Sequence, residues 1–303
     1  MLNPIVIIGA HGQDGRLLSE QLDAEGHPVV KIGRGDISLT NQTEVGTLVN
    51  RLQPREVYYL AAHHHSAEDT FDSNEAILFQ SSFEVHVTGL VNFLEAIRTR
   101  SPQTRLFYAA SSHIFGQGGA GAQNEQTPFQ PHCIYGITKA SGVQCCRYYR
   151  QKHSVFASAG ILYNHESCLR APQFVSQKII QSTLAIAAGN QHKLVLGDLS
   201  ARIDWGYAPD YVKAMRNILE LSEPDDFIIA TGESHSVREF VEIAFEAAGL
   251  NPDNHVIESP DLITKSPRSL IGDASKLRST GWERTVSFRQ MVLILLNNQI
   301  HDR

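Results

Sequence analysis

The stretch "IVIIGAHGQDGRLLSEQL", residues 5–22, decides the fold. Its first four residues are all β-branched and apolar, the pattern of a strand buried on both faces. The run stops at Gly9, and helical periodicity opens near Gln13. Gly9, Gly12 and Gly15 fall in the turn with the spacing G-x-x-G-x-x-G. Glycine lets a backbone turn tightly and approach a pyrophosphate, whose charge the helix N-terminal amides hold. Three glycines alone would also suit an ordinary strand–helix turn. The strand before them and the helix after them point to a dinucleotide site.

The same alternation runs on through "VVKIG" (29–33), "VYYLA" (57–61), "LFYAA" (106–110) and "FASAGIL" (156–162). Helix-like segments lie at 13–26, 42–53, 82–99 and 136–152. Continuously apolar strands alternating with helices predict an α/β, Rossmann-like, doubly wound parallel sheet. The second half has strands in "KLVLG" and "FIIATG" and helices at 174–189, 209–222, 236–249 and 285–298. It reads as a smaller C-terminal α/β substrate domain, 163–303, set against a nucleotide-binding domain, 1–162, to which 208–231 returns.

Composition narrows the function. The 303 residues are 42% hydrophobic and 19% charged, ordinary for a globular protein. The net charge of −6 and the lack of a basic run argue against a nucleic-acid or anionic-membrane partner. No apolar stretch approaches the ~18 residues of a membrane span, and "MLNPIVIIGA" lacks the charge and length of a secretory signal. Cys133, Cys145, Cys146 and Cys168 lack zinc-like spacing, and an adjacent pair is poor disulfide geometry. A reducing cytoplasm is the expected setting. The run His63-His64-His65 follows a strand, where successive side chains point apart, so it is not read as a metal cluster.

Two further motifs carry chemistry. At the end of the second strand stands "KIGRGD". A cofactor 2′-phosphate wants arginine there, whereas a ribose wants a carboxylate. Arg34, with Lys31 adding charge, favours NADP; Asp36 would instead serve NAD. In "YGITK", Tyr135 and Lys139 are spaced i, i+4, on one face of a helix. An ammonium there is expected to lower the phenol's pKa, so that Tyr135 exchanges a proton with an alcohol near neutral pH. Ser111 and Ser112 in "FYAASSHIFG" supply a hydroxyl partner at the preceding strand's end. Ser, Tyr and Lys together suit hydride transfer at an alcohol carbon.

The chain thereby resembles the extended short-chain dehydrogenase/reductases that modify nucleotide sugars, and most closely the GDP-mannose 4,6-dehydratase family. The resemblance is carried by "GAHGQDG", "YYLAAHHH", "ASSHIFG", "YGITK", "YNHES", "DWGYAPDYVKAM" and "DDFIIATGESHSVREFVE". It spans most of the chain, from Gly9 to Trp282. It implies a catalytic set of Ser111, Ser112, His113, Tyr135 and Lys139. It implies cofactor contacts from Gly9, Gly12, Gln13, Asp14, Gly15, Arg34, Asp36, Ile37, Leu60, Ala61, Ala62, Tyr135, Lys139, His165 and Arg170. Substrate contacts implied are His65, Asn164, Lys178, Arg202 and Arg268, the substrate being a nucleotide-diphosphate sugar, a GDP-hexose by family.

Departures from the family bear on function. The family's glutamate, which removes the C5 proton, is replaced by His113 in Ser111-Ser112-His113. Imidazole can act as a base near neutrality, so 4,6-dehydration remains open, yet a 4-keto-sugar reductase or C4 epimerase using the same Ser–Tyr–Lys core needs no C5 base. The arginine that precedes Asp-Trp-Gly in the family is Ile203 here, with Arg202 one position earlier. After Arg34 the chain omits the loop that helps build the family's tetramer. A dimer through helices 82–99 and 136–152 is expected.

Overall fold

β-Branched and aromatic residues pave one parallel sheet in the computed structural model, which describes residues 3–63, 74–118, 121–259 and 270–301. Along the chain come β1 (Ile5–Ile8), α1 (Gln13–Ala24), β2 (Val29–Ile32), α2 (Gln42–Leu52), β3 (Glu56–Tyr59), α3 (Glu75–Phe83), α4 (Gly89–Arg100), β4 (Arg105–Ala109), α5 (Ile134–His153) and β5 (Ala157–Leu162). All four residues of β1 and all six of β5 are buried, as their unbroken apolar runs require. Asn41 starts α2 by accepting hydrogen bonds from the Thr43 and Glu44 amides.

The predicted helix 82–99 is broken. Glu84–Thr88 forms a π-helical turn between α3 and α4. The Tyr59 hydroxyl donates to the Val85 carbonyl at 2.6 Å, and a side chain at Gly89 would meet that hydroxyl at 2.3 Å. A phenol inserted into the helical ladder opens the turn.

The chain continues through β6 (Asn164–Glu166), α6 (Val175–Ala187), β7 (Leu194–Leu196), β8 (Arg202–Ile203), β9 (Trp205–Tyr207), α7 (Ala208–Glu220), β10 (Asp226–Ile229), β11 (His235–Ser236), α8 (Val237–Ala247), β12 (Val256–Glu258), α9 (Ser275–Arg278) and α10 (Phe288–His301). The large sheet has the order β10-β5-β4-β3-β1-β2, parallel throughout. β10 thus extends the first sheet from the second half of the sequence, and α7 packs against α1. A second apolar core gathers residues of α6, α8 and α10 around Trp205, whose ring stacks on Phe288 and meets Phe240 edge-on.

The topology sets where a ligand can enter. β2 lies beside β1 on one side and β4 beside β3 on the other, so the connections leaving β1 and leaving β3 diverge at the carboxyl ends of the strands. Such a switch point leaves a crevice. A cavity of about 770 Å³ occupies it.

Candidate active site

The three loop glycines do different work. Gly9 has φ +88°, and a Cβ there would lie 2.7 Å from the Ala61 amide nitrogen. A Cβ at Gly15 would lie 2.4 Å from the Gly9 carbonyl oxygen, so α1 can sit against the end of β1 only without a side chain. Gly12 needs neither excuse. Its φ is an ordinary −73°, the nearest atom to an added Cβ is 3.5 Å away, and the residue lines the cavity. The space a Cβ would fill is left to the cavity, and α1 begins with no side-chain cap on its first amides. Open amides at a helix start, beside a glycine with room for a ligand, fit the pyrophosphate of a dinucleotide.

Beyond β2 the chain turns through Gly35, φ +96°, bridging Arg34 to Ile37. Arg34 and Ile37 line the cavity with Leu60, Ala61 and Ala62. Asp36 does not; its carboxylate turns back to accept the Gly33 amide at 2.7 Å. Lys31 is also turned away, paired with Asp23 at 2.8 Å. Arg34 is the cation this end of the cavity presents from "KIGRGD".

At the other end β4 delivers Ser111, whose oxygen accepts the His113 amide at 3.3 Å and hydrogen-bonds the Tyr135 phenol. From α5, Lys139 donates to the Ala109 carbonyl at 2.7 Å, its nitrogen 5.7 Å from the centre of the Tyr135 ring. His113 meets the same ring edge-on, with centroids 5.6 Å apart. Ser111, His113, Tyr135 and Lys139 all line the cavity, whereas Ser112 is buried in a 3₁₀ turn and does not.

The electrostatics correct one expectation. Burial holds the Tyr135 phenol above its ordinary range, with the Arg170 guanidinium acting the other way. Burial brings the Lys139 amine down to about 7, although the Asp14 carboxylate favours its charge. The ammonium does not depress the phenol here, because its own charge is disfavoured and its hydrogen bond goes to a carbonyl. With its charge disfavoured to this extent, the amine is able to give or take a proton near neutral pH.

The segment after β5 crosses the cavity. Asn164 and His165 line it from β6. The His165 ring bonds the Tyr163 carbonyl through Nδ1 at 2.7 Å and both Asp14 carboxylate oxygens through Nε2 at 3.0 Å. Burial disfavours the imidazolium, but the Asp14 charge and hydrogen bond outweigh it and raise the pKa of His165. Gln13 completes the strap, donating to the His165 carbonyl at 3.1 Å and accepting from Ser167 at 2.9 Å. The glycine loop and β6 are thus tied by the buried Asp14–His165 contact, in which the raised pKa of His165 favours a positive charge beside the Asp14 carboxylate. Arg170 lines the cavity with its guanidinium 3.7 Å from the centre of the Phe174 ring.

Two expected substrate contacts stand elsewhere. Lys178, on α6, does not line the cavity. Arg202, on β8, is half-exposed and engaged with Ser234 and Glu239, outside the cavity. His65 and Arg268 lie outside the described residues. The sequence reading missed His11, Glu84, Val85 and Phe174, which all line the cavity. A Cβ at Gly33 would meet the His11 ring at 2.1 Å, so the glycine after β2 was a signal for a bulky group opposite. Glu84 and Val85 sit in the π-helical turn, which regular periodicity hides.

Comparison with known proteins bears on family and fold. A sequence model of the GDP-mannose 4,6 dehydratase family matches residues 34–294. The GDP-mannose 4,6 dehydratase 1 of Arabidopsis thaliana is 32% identical, over 97% of this chain and 89% of its own. Among solved structures, RMD from Pseudomonas aeruginosa complexed with NADPH superposes with TM-score 0.85 at 19% identity, covering 99% of this chain and all of that one. Thermus thermophilus UDP-glucose 4-epimerase in complex with NAD gives 0.81 at 21%, over 97% and 98%. With an extended short-chain dehydrogenase/reductase fold and a sequence match over most of its length, the chain belongs to the GDP-mannose 4,6-dehydratase family.

Proposed function

We propose that this chain is an NADP-dependent nucleotide-sugar 4,6-dehydratase whose substrate is a GDP-hexose, the GDP-mannose of its relatives' name. The observation that carries the reading is the convergence of Ser111, Tyr135, Lys139 and His113 on one cavity whose far end presents Gly12 and Arg34. Gly12 and the start of α1 would hold the pyrophosphate, and Arg34 the 2′-phosphate. A bound nicotinamide supplies reversible hydride exchange with the sugar carbons.

The chain's own residues handle protons. As C4 is oxidised the O4 proton passes through Tyr135: the phenol, which burial keeps protonated, gives its own proton on toward the Lys139 amine as it takes the sugar's, with Ser111 orienting it. The resulting C4 ketone acidifies the C5 hydrogen. His113 removes that proton, and the imidazolium it becomes is the acid for the C6 hydroxyl, which departs as water. The proton taken from C5 is the proton delivered to the leaving group, so the step balances without a second acid. Histidine can fill both roles in turn because its two protonation states are close in energy near neutral pH.

A 4-keto-sugar reductase with the same core is the second reading, and one observation favours it. Ser112 and His113 are the residues that follow Ser111 at the end of β4, so that position offers no carboxylate. His113→Ala separates the readings. A dehydratase variant loses water elimination by ~100- to 10,000-fold, the usual cost of removing a general base, while still exchanging hydrogen at C4. A reductase variant keeps its chemical step, its loss confined to weaker substrate binding.

For assembly we propose a homodimer. Ile77, Phe79 and Phe83 on α3 and Ile137 and Tyr148 on α5 are exposed, and Phe79 and Phe83 stack on each other. Among the described residues, Val195 on β7 and Ile257 on β12 are exposed as well, but five of the seven exposed large apolar residues lie on α3 and α5; α4, within the expected segment 82–99, buries most of its apolar residues. None of the described helices is long and apolar enough to cross a membrane, and we take the enzyme to work in the cytoplasm.

A further inference from the structure

Cys133 caps α5: its sulfur accepts the Gly136 amide at 3.4 Å from an extended backbone. The same sulfur lies 3.8 Å from Nδ1 of His113. The contact is enforced by the backbones around it. A Cβ at Gly136 would fall 2.5 Å from the His113 carbonyl oxygen, so the first turn of α5 and the 3₁₀ turn after β4 are wedged together. His113 is further fixed by its amide on Ser111 and its ring edge on Tyr135.

We propose that Cys133 is a positioning residue for His113, its sulfur accepting the Nδ1–H and so leaving Nε2 as the basic nitrogen. The two ring nitrogens of a histidine are distinguished by whatever hydrogen bond one of them makes. Here the choice lies between an imidazole N–H donating to sulfur and a thiol donating to Nδ1. The thiol is the weaker donor, and the sulfur already acts as an acceptor toward Gly136. A proton on Nδ1 makes the ring a base toward the sugar; a proton on Nε2 would turn a hydrogen-bond donor toward the sugar, with no lone pair there to accept the C5 proton. When Nε2 collects the C5 proton, the Nδ1–H bond to sulfur stays in place, so the catalytic cycle needs no rotation of the ring. His113 and Cys133 therefore work as one unit where this chain departs from the family's glutamate.

The kinetic arm of the test rests on the dehydratase reading; the spectroscopic arm does not. In the full-length protein with ¹⁵N-labelled histidine, His113 should show the Nδ1–H tautomer at pH above its titration. Cys133→Ala should shift it toward a mixture, and Cys133→Ser should restore it. An Nε2–H tautomer in the wild type, or no change in Cys133→Ala, overturns the proposal. In turnover, Cys133→Ala should lower kcat for dehydration ~10- to 100-fold, the range for removing the partner that orients a histidine, with KM held. Hydrogen exchange at C4 should fall much less. In a His113→Ala background the same substitution should add nothing. Parallel losses of exchange and elimination would mean that the sulfur serves only to cap α5, and would also overturn it. If the wild type eliminates no water, the dehydratase reading falls and the tautomer measurement alone decides this one.

Discussion

Lys139→Met should abolish one specific slope in the pH dependence of stability. Lys139 is 1% exposed, donates to the Ala109 carbonyl, and has its pKa lowered from 10.5 to about 7 by burial. In the unfolded chain the amine holds its proton up to the ordinary value, so between the two pKa values the unfolded state binds more protons. Stability therefore rises with pH across that window. Below it, charging the buried amine costs the folded state about 5 kcal/mol, the shift converted at 1.36 kcal/mol per pH unit. Between about pH 7.5 and 9.5 the relief amounts to about 2–3 kcal/mol by proton linkage. Tyr135, whose phenol is pushed upward in the fold, opposes this slope only as the unfolded phenol ionises near ~10, and does so in wild type and variant alike. Urea unfolding of wild type and Lys139→Met without added cofactor, at several pH values, reads the difference directly. The lost hydrogen bond offsets the variant by a constant that cancels in the slope. Parallel curves, or a wild type that weakens relative to the variant as pH rises, would refute the reasoning.

The glycine loop gives a separable pair. Gly15→Ala should destabilise the fold, because its Cβ meets backbone at 2.4 Å, and melting temperature should show it; Gly12→Ala should melt like wild type yet bind dinucleotide more weakly. Arg34→Ala should weaken NADPH by at least ~1 kcal/mol more than NADH, the scale of one charge-assisted contact, in a calorimetric titration; equal losses would remove Arg34 from the 2′-phosphate. Light scattering should return about twice the 33.6 kDa chain mass, and Ile77→Asp, placing a charge on the exposed α3 face, should halve it.

The parallel sheet and the glycine turn that lines the cavity were legible in the sequence because both rest on local rules. β-Branched runs make buried strands, and glycine is needed where no Cβ fits. Tyr135 and Lys139 were legible because helical spacing alone puts them on one face. Longer-range facts were not. Nothing local says that Asp36 spends its carboxylate on its own turn, that Arg202 reaches Ser234, or that Asp14 pairs with a histidine 151 residues away. The lowered pKa of Lys139 was hidden for the same reason, since burial depends on what the whole sheet packs over it. The π-helical turn was hidden because its cause, the Tyr59 hydroxyl, comes from a different element.

The most direct test of the central claim is a product balance. Wild-type enzyme, GDP-mannose and a trace of NADP should yield a sugar nucleotide lighter by one water while the NADPH absorbance stays level, since the hydride taken from C4 returns to C6. Stoichiometric oxidation of NADPH by a 4-keto sugar nucleotide, with GDP-mannose left intact, would contradict the account and make His113 a substrate-binding residue of a reductase.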